Sequence, residues 1–204
     1  MTGRIITARH GRPDLSRDVT ITAREYGDWW ARYDESGLHP DERPPEGLVA
    51  LAKSAKTVLS STLPRAIETA QQATGGARDV PADPMFVEAP LPPPPWPDFI
   101  KLSPGQWGVV SRIMWNLGYA PSGVENIGDT WVRVDKIIAR LEALSQNGDV
   151  LLCAHGYLNW MIDRRLRREG WTRTQRDGGN HYWSWRIYEP AGEKRAVGVE
   201  AAAE

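Results

Sequence analysis

With 25 basic and 26 acidic side chains in 204 residues, the chain carries a formal charge of −1, which excludes the global basic field that holds nucleic acid. Its one cysteine, Cys153, rules out an intramolecular disulfide and fits a reducing compartment. The opening MTGRIITARHG lacks the apolar stretch of a signal peptide, and no apolar run approaches the ~20 residues of a membrane span. The expectation is a cytoplasmic protein with neither a membrane nor a nucleic-acid partner.

The length suits one domain over 1–204, with an insertion at about 90–120 and a loose tail at about 190–204. In chain order, RIITA (4–8) reads as a short buried strand that ends at Arg9-His10-Gly11. Residues 20–38 read as a helix: Thr22 and Glu25 form a capping box, and Tyr26, Trp30 and Tyr33 share a face. A shorter helix is expected at 44–55 and a strand at 56–61. The strand runs into a helix at 62–73 with Pro64 in its first turn. PMFVEA (84–89) reads as another strand.

The prolines of 90–107 can neither continue a helix nor pair in a central strand, so this stretch reads as a stiff extended loop. A helix follows at 103–118. Trp96, Trp107 and Trp115 are candidates either to wall a pocket or to pack the insertion onto the body. The longest helical pattern is 122–148, with Ile127, Trp131, Val134, Ile138 and Leu141 at the helical period. Glu125 is expected in its first turn. DVLLCA (149–154) reads as a buried strand, 155–170 as a helix and 181–189 as a last strand. Strands alternating with helices predict an α/β fold. The expected form is a three-layer sandwich with a mostly parallel sheet, helices on both faces, and a proline/tryptophan-rich insertion forming a lid.

In such sheets ligands bind beyond the carboxyl ends of the strands. Arg9-His10, the 61–65 segment, Glu88 and His155 all follow predicted strand ends, so four distant segments meet on one rim. Arginine offers a permanent, planar charge that suits phosphate oxygens. A neutral imidazole is a competent nucleophile, and a carboxylic acid can protonate a leaving alkoxide. A glycine after each histidine opens the first turn of a helix, where free N–H groups favour anions. These residue types fit phosphoryl transfer, which needs little beyond positioning and charge neutralisation. His10, His155, Glu88 and Cys153 include no close-spaced ligand pair, and two arginines repel a divalent cation, so no metal or other cofactor is expected.

Arg-His-Gly at 9–11, SSTLPRAIETA at 60–70 and AHG at 154–156 together resemble the signature of the histidine phosphatase superfamily, which includes the cofactor-dependent phosphoglycerate mutases. The resemblance implies that His10 is the nucleophile and Glu88 the proton donor. It implies that Arg9, Arg65 and His155 hold the phosphoryl group. Ser16 stands where many relatives carry an asparagine, which makes it a further phosphate-binding candidate; Arg12 and Arg17 lie near the rim.

The implied activity is a metal-independent phosphatase that hydrolyses a phosphomonoester through phosphohistidine. Its partner is a small phosphorylated substrate or a phosphorylated side chain. Two alternatives stand beside it: a mutase-type phosphotransferase, and a catalytically weak phosphate-binding regulatory module. The second is favoured by the proline run that follows Glu88. Nothing in the sequence specifies the substrate or the oligomeric state.

Overall fold

The computed structural model describes residues 2–191; the tail expected to be loose lies, from 192 onward, outside the described residues. Six strands, β1 (Ile5–Arg9), β2 (Thr57–Ser61), β3 (Ala82–Asp83), β4 (Val150–Ala154), β5 (Trp171–Asp177) and β6 (Trp185–Pro190), form one sheet in the order β3-β2-β4-β1-β6-β5. The four strands from β3 to β1 pair in parallel, while β6 and β5 are antiparallel additions at one edge. Helices α1 (Ala23–Glu35), α2 (Glu46–Ser54), α3 (Pro64–Thr74), α4 (Pro104–Asn116), α5 (Ile127–Ser145) and α6 (Gly156–Arg168) complete the described fold.

The central strands are buried on both faces, and their side chains alternate between two cores. Ile5, Leu59, Val150 and Leu152 pack with Val134, Leu141, Leu158 and Ile162 of α5 and α6. Ile6, Val58, Leu151 and Cys153 face the other way, onto Leu48, Ala52, Ala70 and Ala73 of α2 and α3. This is the three-layer α/β sandwich. A third cluster joins Tyr26, Trp29 and Tyr33 of α1 to Trp107 of α4.

Local chemistry explains the helix starts. Thr22 and Glu25 form the expected capping box on α1, and Ser103 and Gln106 form another on α4. Pro64 occupies the first turn of α3, where its missing N–H is no loss.

Several expectations need correction. Residues 84–89 are not a strand. The Asp83 carboxylate accepts from Met85 N at 2.8 Å, and residues 84–86 form a single 3-10 turn. Pro84 has no N–H for a sheet ladder, so pairing stops at Asp83. The edge strand β5 was not expected; it is mostly exposed, bulged between Arg173 and Gln175, and shows no alternation to read. On α1 the buried stripe is Tyr26, Trp29 and Tyr33 rather than Trp30. Glu125 lies before α5, which is capped by Asn126.

Candidate active site

Parallel pairing of β2, β4 and β1 puts their carboxyl ends on one edge, with Arg9 beside Ala154 and Ser60 beside Cys153. His10 follows β1 and donates its backbone N–H to Ala154 O at 3.0 Å. His155 follows β4. The two imidazole centroids lie 5.2 Å apart, although the residues are far apart in sequence.

His10 is buried, and its Nδ1 lies 2.7 Å from Gly11 O. A carbonyl only accepts, so Nδ1 carries the proton and the Nε2 lone pair is left free. Burial holds His10 well below the ordinary imidazole range, and the positive charges of Arg65 and Arg9, together with His155, push the same way. His155, fully buried, is held well below that range by burial first and by Arg65 and Arg9 next. Both rings are therefore neutral at pH 7. His155 Nε2 lies 2.8 Å from Ser61 Oγ at the end of β2.

Gly11 does not start a helix; its N–H donates to Thr69 Oγ1 at 3.0 Å. A Cβ there would sit 2.5 Å from the Trp183 ring, so only glycine lets the chain pass beneath that indole. Trp183 itself adopts φ 62° and donates its backbone N–H to His10 O at 3.3 Å. At Gly156 a Cβ would come within 3.2 Å of Arg9 Nε. The second His-Gly glycine thus makes room for the first motif's arginine.

Arg65 is almost wholly buried at 1% exposure. A guanidinium in that position requires acceptors. It donates to Tyr33 O at 2.8 Å and to Asp34 Oδ1 at 3.0 Å, and it lies over the Tyr33 ring at 4.5 Å. Arg9 donates to Asn180 O and stacks on Tyr182 at 4.6 Å. Arg9 Nε, Arg65 Nε and His155 Nδ1 are buried without a hydrogen-bond partner.

Glu88 lies in the extended segment after the 3-10 turn and reaches the start of α6. Its Oε1 accepts from Leu158 N at 2.8 Å and from Ala89 N at 3.0 Å; Oε2 accepts from Tyr157 N at 3.1 Å. The first-turn N–H groups of α6, expected to meet a ligand anion, are thus taken by Glu88. A carboxyl group has about four lone-pair sites, and the one left on Oε2 stays open. Arg133 fixes this segment by donating to Met85 O at 2.8 Å and Val87 O at 2.9 Å, while its other nitrogens grip Glu125.

A cavity of about 730 Å³ opens on this edge of the sheet, and Arg9, His10, Arg65 and Glu88 all line it. His155 sits fully buried beneath. Ser16 is not brought there. Its side chain is exposed, and its Oγ accepts from Asp18 N at 3.1 Å within its own turn. The neighbouring Arg17 lines the cavity instead, donating to Tyr33 OH at 2.9 Å. Arg12 is engaged at the surface by Glu42. Trp107 and Trp115 are core residues, whereas Trp29, Trp30 and Trp160 line the cavity. Arg112, Asn180 and Arg186, which also line it, stand in no motif of the sequence and are recruited by the fold alone. Among the described residues, no group of three or more His, Cys, Asp or Glu side chains is placed to hold a metal ion. No helix among them is long and apolar enough to cross a membrane.

The model of the histidine phosphatase superfamily (branch 1) matches residues 48–199, more than half of the chain. The chain belongs to that superfamily. The matched span starts after Arg9-His10-Gly11, so that motif enters through the geometry above. No curated protein gives a significant match. Solved structures share the superfamily fold. One is a mycobacterial glucosyl-3-phosphoglycerate phosphatase in complex with VO3, 20% identical, covering 93% of this chain and 98% of that one with a TM-score of 0.57. Another is a phosphoserine phosphatase mutant from Entamoeba histolytica in complex with phosphoserine, 16% identical, covering 81% of this chain and 80% of that one with a TM-score of 0.52.

Proposed function

We propose that the protein is a metal-independent phosphomonoesterase that works through phosphohistidine at His10. The observation that carries this reading is the Nδ1 bond to Gly11 O, which leaves Nε2 unprotonated and free in a cavity that Arg9 and Arg65 help to line. The named solved structures, phosphatases holding VO3 and phosphoserine, agree with it.

In the first step the His10 Nε2 lone pair attacks phosphorus in line with the ester oxygen. The P–N bond forms and the P–O bond breaks. Glu88 enters this step in its acid form, with the proton on the remaining site of Oε2, and gives that proton to the leaving oxygen, becoming a carboxylate. In the second step Glu88 takes a proton from water, the water oxygen attacks phosphorus, and the P–N bond breaks to release phosphate. Microscopic reversibility gives Glu88 both roles. The unpartnered nitrogens of Arg9, Arg65 and His155 are donors or acceptors without an internal partner. Leaving such a group buried costs about 1–3 kcal/mol each. Equatorial phosphoryl oxygens are ligands that satisfy N–H groups of this kind.

The test is turnover of p-nitrophenyl phosphate without added metal. Wild type is expected to be active and His10→Ala inactive. Glu88→Gln loses at least about tenfold more with an alkyl ester than with the aryl ester, whose leaving group needs little acid help; general acid catalysis contributes about 10²–10⁴-fold. Activity unchanged by His10→Ala contradicts the reading. Production of an isomeric phosphoester instead of inorganic phosphate makes the protein a mutase. Tight vanadate binding without turnover makes it a phosphate-binding module.

A further inference from the structure

The cavity is divided by polarity. Four of its arginines gather at one end. Arg9 and Arg17 both lie over Tyr182, at 4.6 and 5.9 Å, and Tyr182 stands 5.7 Å from the His10 ring. Arg65 and Arg17 share Tyr33, and Arg186 donates to Asn180 Oδ1 at 3.0 Å. The fifth, Arg112, lies over Tyr157 at 3.8 Å and donates to Ala89 O at 3.0 Å and Pro90 O at 3.1 Å. Its charge is turned to the protein's own carbonyls.

A second wall, built by α4, carries an apolar stripe beside Arg112 and Asn116. Val109, Ile113 and Leu117 recur every four residues along α4 and its cap, and so make one stripe. All three line the cavity and are 60%, 56% and 84% exposed. Trp160 of α6 and Leu91 of the proline-rich loop also line the cavity. Scattered exposed aliphatics need no explanation, but a contiguous stripe that continues a ligand cavity does. Sugar hydroxyls laid against these methyl groups lose hydrogen bonds to water without replacement.

We infer that the substrate is a phosphomonoester of an extended aliphatic alcohol, with its phosphate at His10 and its chain along Val109, Ile113, Leu117 and Trp160. The inference rests on the phosphatase reading for what happens to the phosphate, but the binding of the chain is testable without turnover. Charge complementarity sets the orientation: the arginine cluster takes the anion, and the apolar stripe of α4 receives the chain.

The experiment is calorimetric binding of linear alkylphosphonates from ethyl to octyl, which cannot be hydrolysed. Kd is expected to tighten by about fourfold per added methylene, as burial of a CH₂ predicts. Ile113→Asp flattens that dependence while keeping the wild-type melting transition. An affinity independent of chain length overturns the inference, whether or not p-nitrophenyl phosphate is hydrolysed. So does tighter binding of glycerol phosphate than of octylphosphonate. If Ile113→Asp instead turns a dimer into a monomer in sedimentation and wild type shows no chain-length dependence, the stripe is a contact between copies and the inference fails. Loss of p-nitrophenyl phosphate turnover with chain-length-dependent phosphonate binding would mark the failure of the phosphatase reading alone.

Discussion

His10 and His155 are two buried imidazoles 5.2 Å apart among arginines, and both are held well below the ordinary pKa of 6.5. Neutrality is what a nucleophilic ring needs, and it has a consequence for stability. Below pH 6.5 the unfolded chain takes up a proton at each histidine while the folded protein does not. Stability is therefore complete above pH 6.5 and is lost as pH falls from there toward the depressed folded values. Each such histidine contributes a slope of about 1.4 kcal/mol per pH unit in that window. Urea titrations between pH 7 and pH 5 are expected to show a shallower loss in His10→Gln than in wild type, by up to about that amount. Equal slopes would mean that His10 takes up its proton over the same pH range in the folded protein as in the unfolded chain. Cys153 has no part in this; burial pushes its thiol up to about 12, and it serves as an apolar residue of the sheet.

At the level of elements, the segment 84–89 shows how a non-regular stretch is made rigid. It lacks sheet pairing beyond Asp83, yet Arg133 of α5 holds two of its carbonyls, and Glu88 caps α6 with both oxygens. Arg133 is a positioning residue on this account. Arg133→Met removes charged hydrogen bonds to two carbonyls and to Glu125, and should destabilise the fold by about 1–3 kcal/mol. It should also lower kcat for alkyl phosphates more than for p-nitrophenyl phosphate, because Glu88 is displaced from the leaving oxygen. Equal losses for both esters would make Arg133 purely structural.

Much of this was legible in the sequence, for physical reasons. Apolar runs at β1, β2 and β4, and the Thr22–Glu25 and Pro64 helix starts, are local signals that tertiary packing reinforces. The 84–89 strand was misread because its apolar character serves the core through Phe86, not a ladder. The edge strand β5 is held by backbone pairing with β6 and carries no pattern. Ser16 was drawn from motif spacing, but its loop turns the hydroxyl onto Asp18 N. Arg17, expected near the rim, reaches the cavity from the loop after β1; Arg112 and Arg186 had no motif to announce them and reach it from α4 and from β6.

On the scale of the whole molecule, the strand order explains why one site exists at all. With β4 between β2 and β1, the loops after all three parallel strands open on the same edge. β1 and β4 deliver His10 and His155, and α3, which follows β2, delivers Arg65. α1 and α4 then close over that edge through their aromatic cluster and give the cavity its apolar wall. The strand ends and the segments that follow them thus supply the charge, and α1 and α4 supply the shape. The central claim is that phosphate passes through the His10 ring. It is tested most directly by quenching the wild-type protein in alkali during turnover of a phosphomonoester and mapping the acid-labile phosphate by peptide mass spectrometry. Phosphate on His10, absent in His10→Ala, is the expected result. Full-rate phosphate release with no modification at His10, or with phosphate on another side chain, would contradict the account.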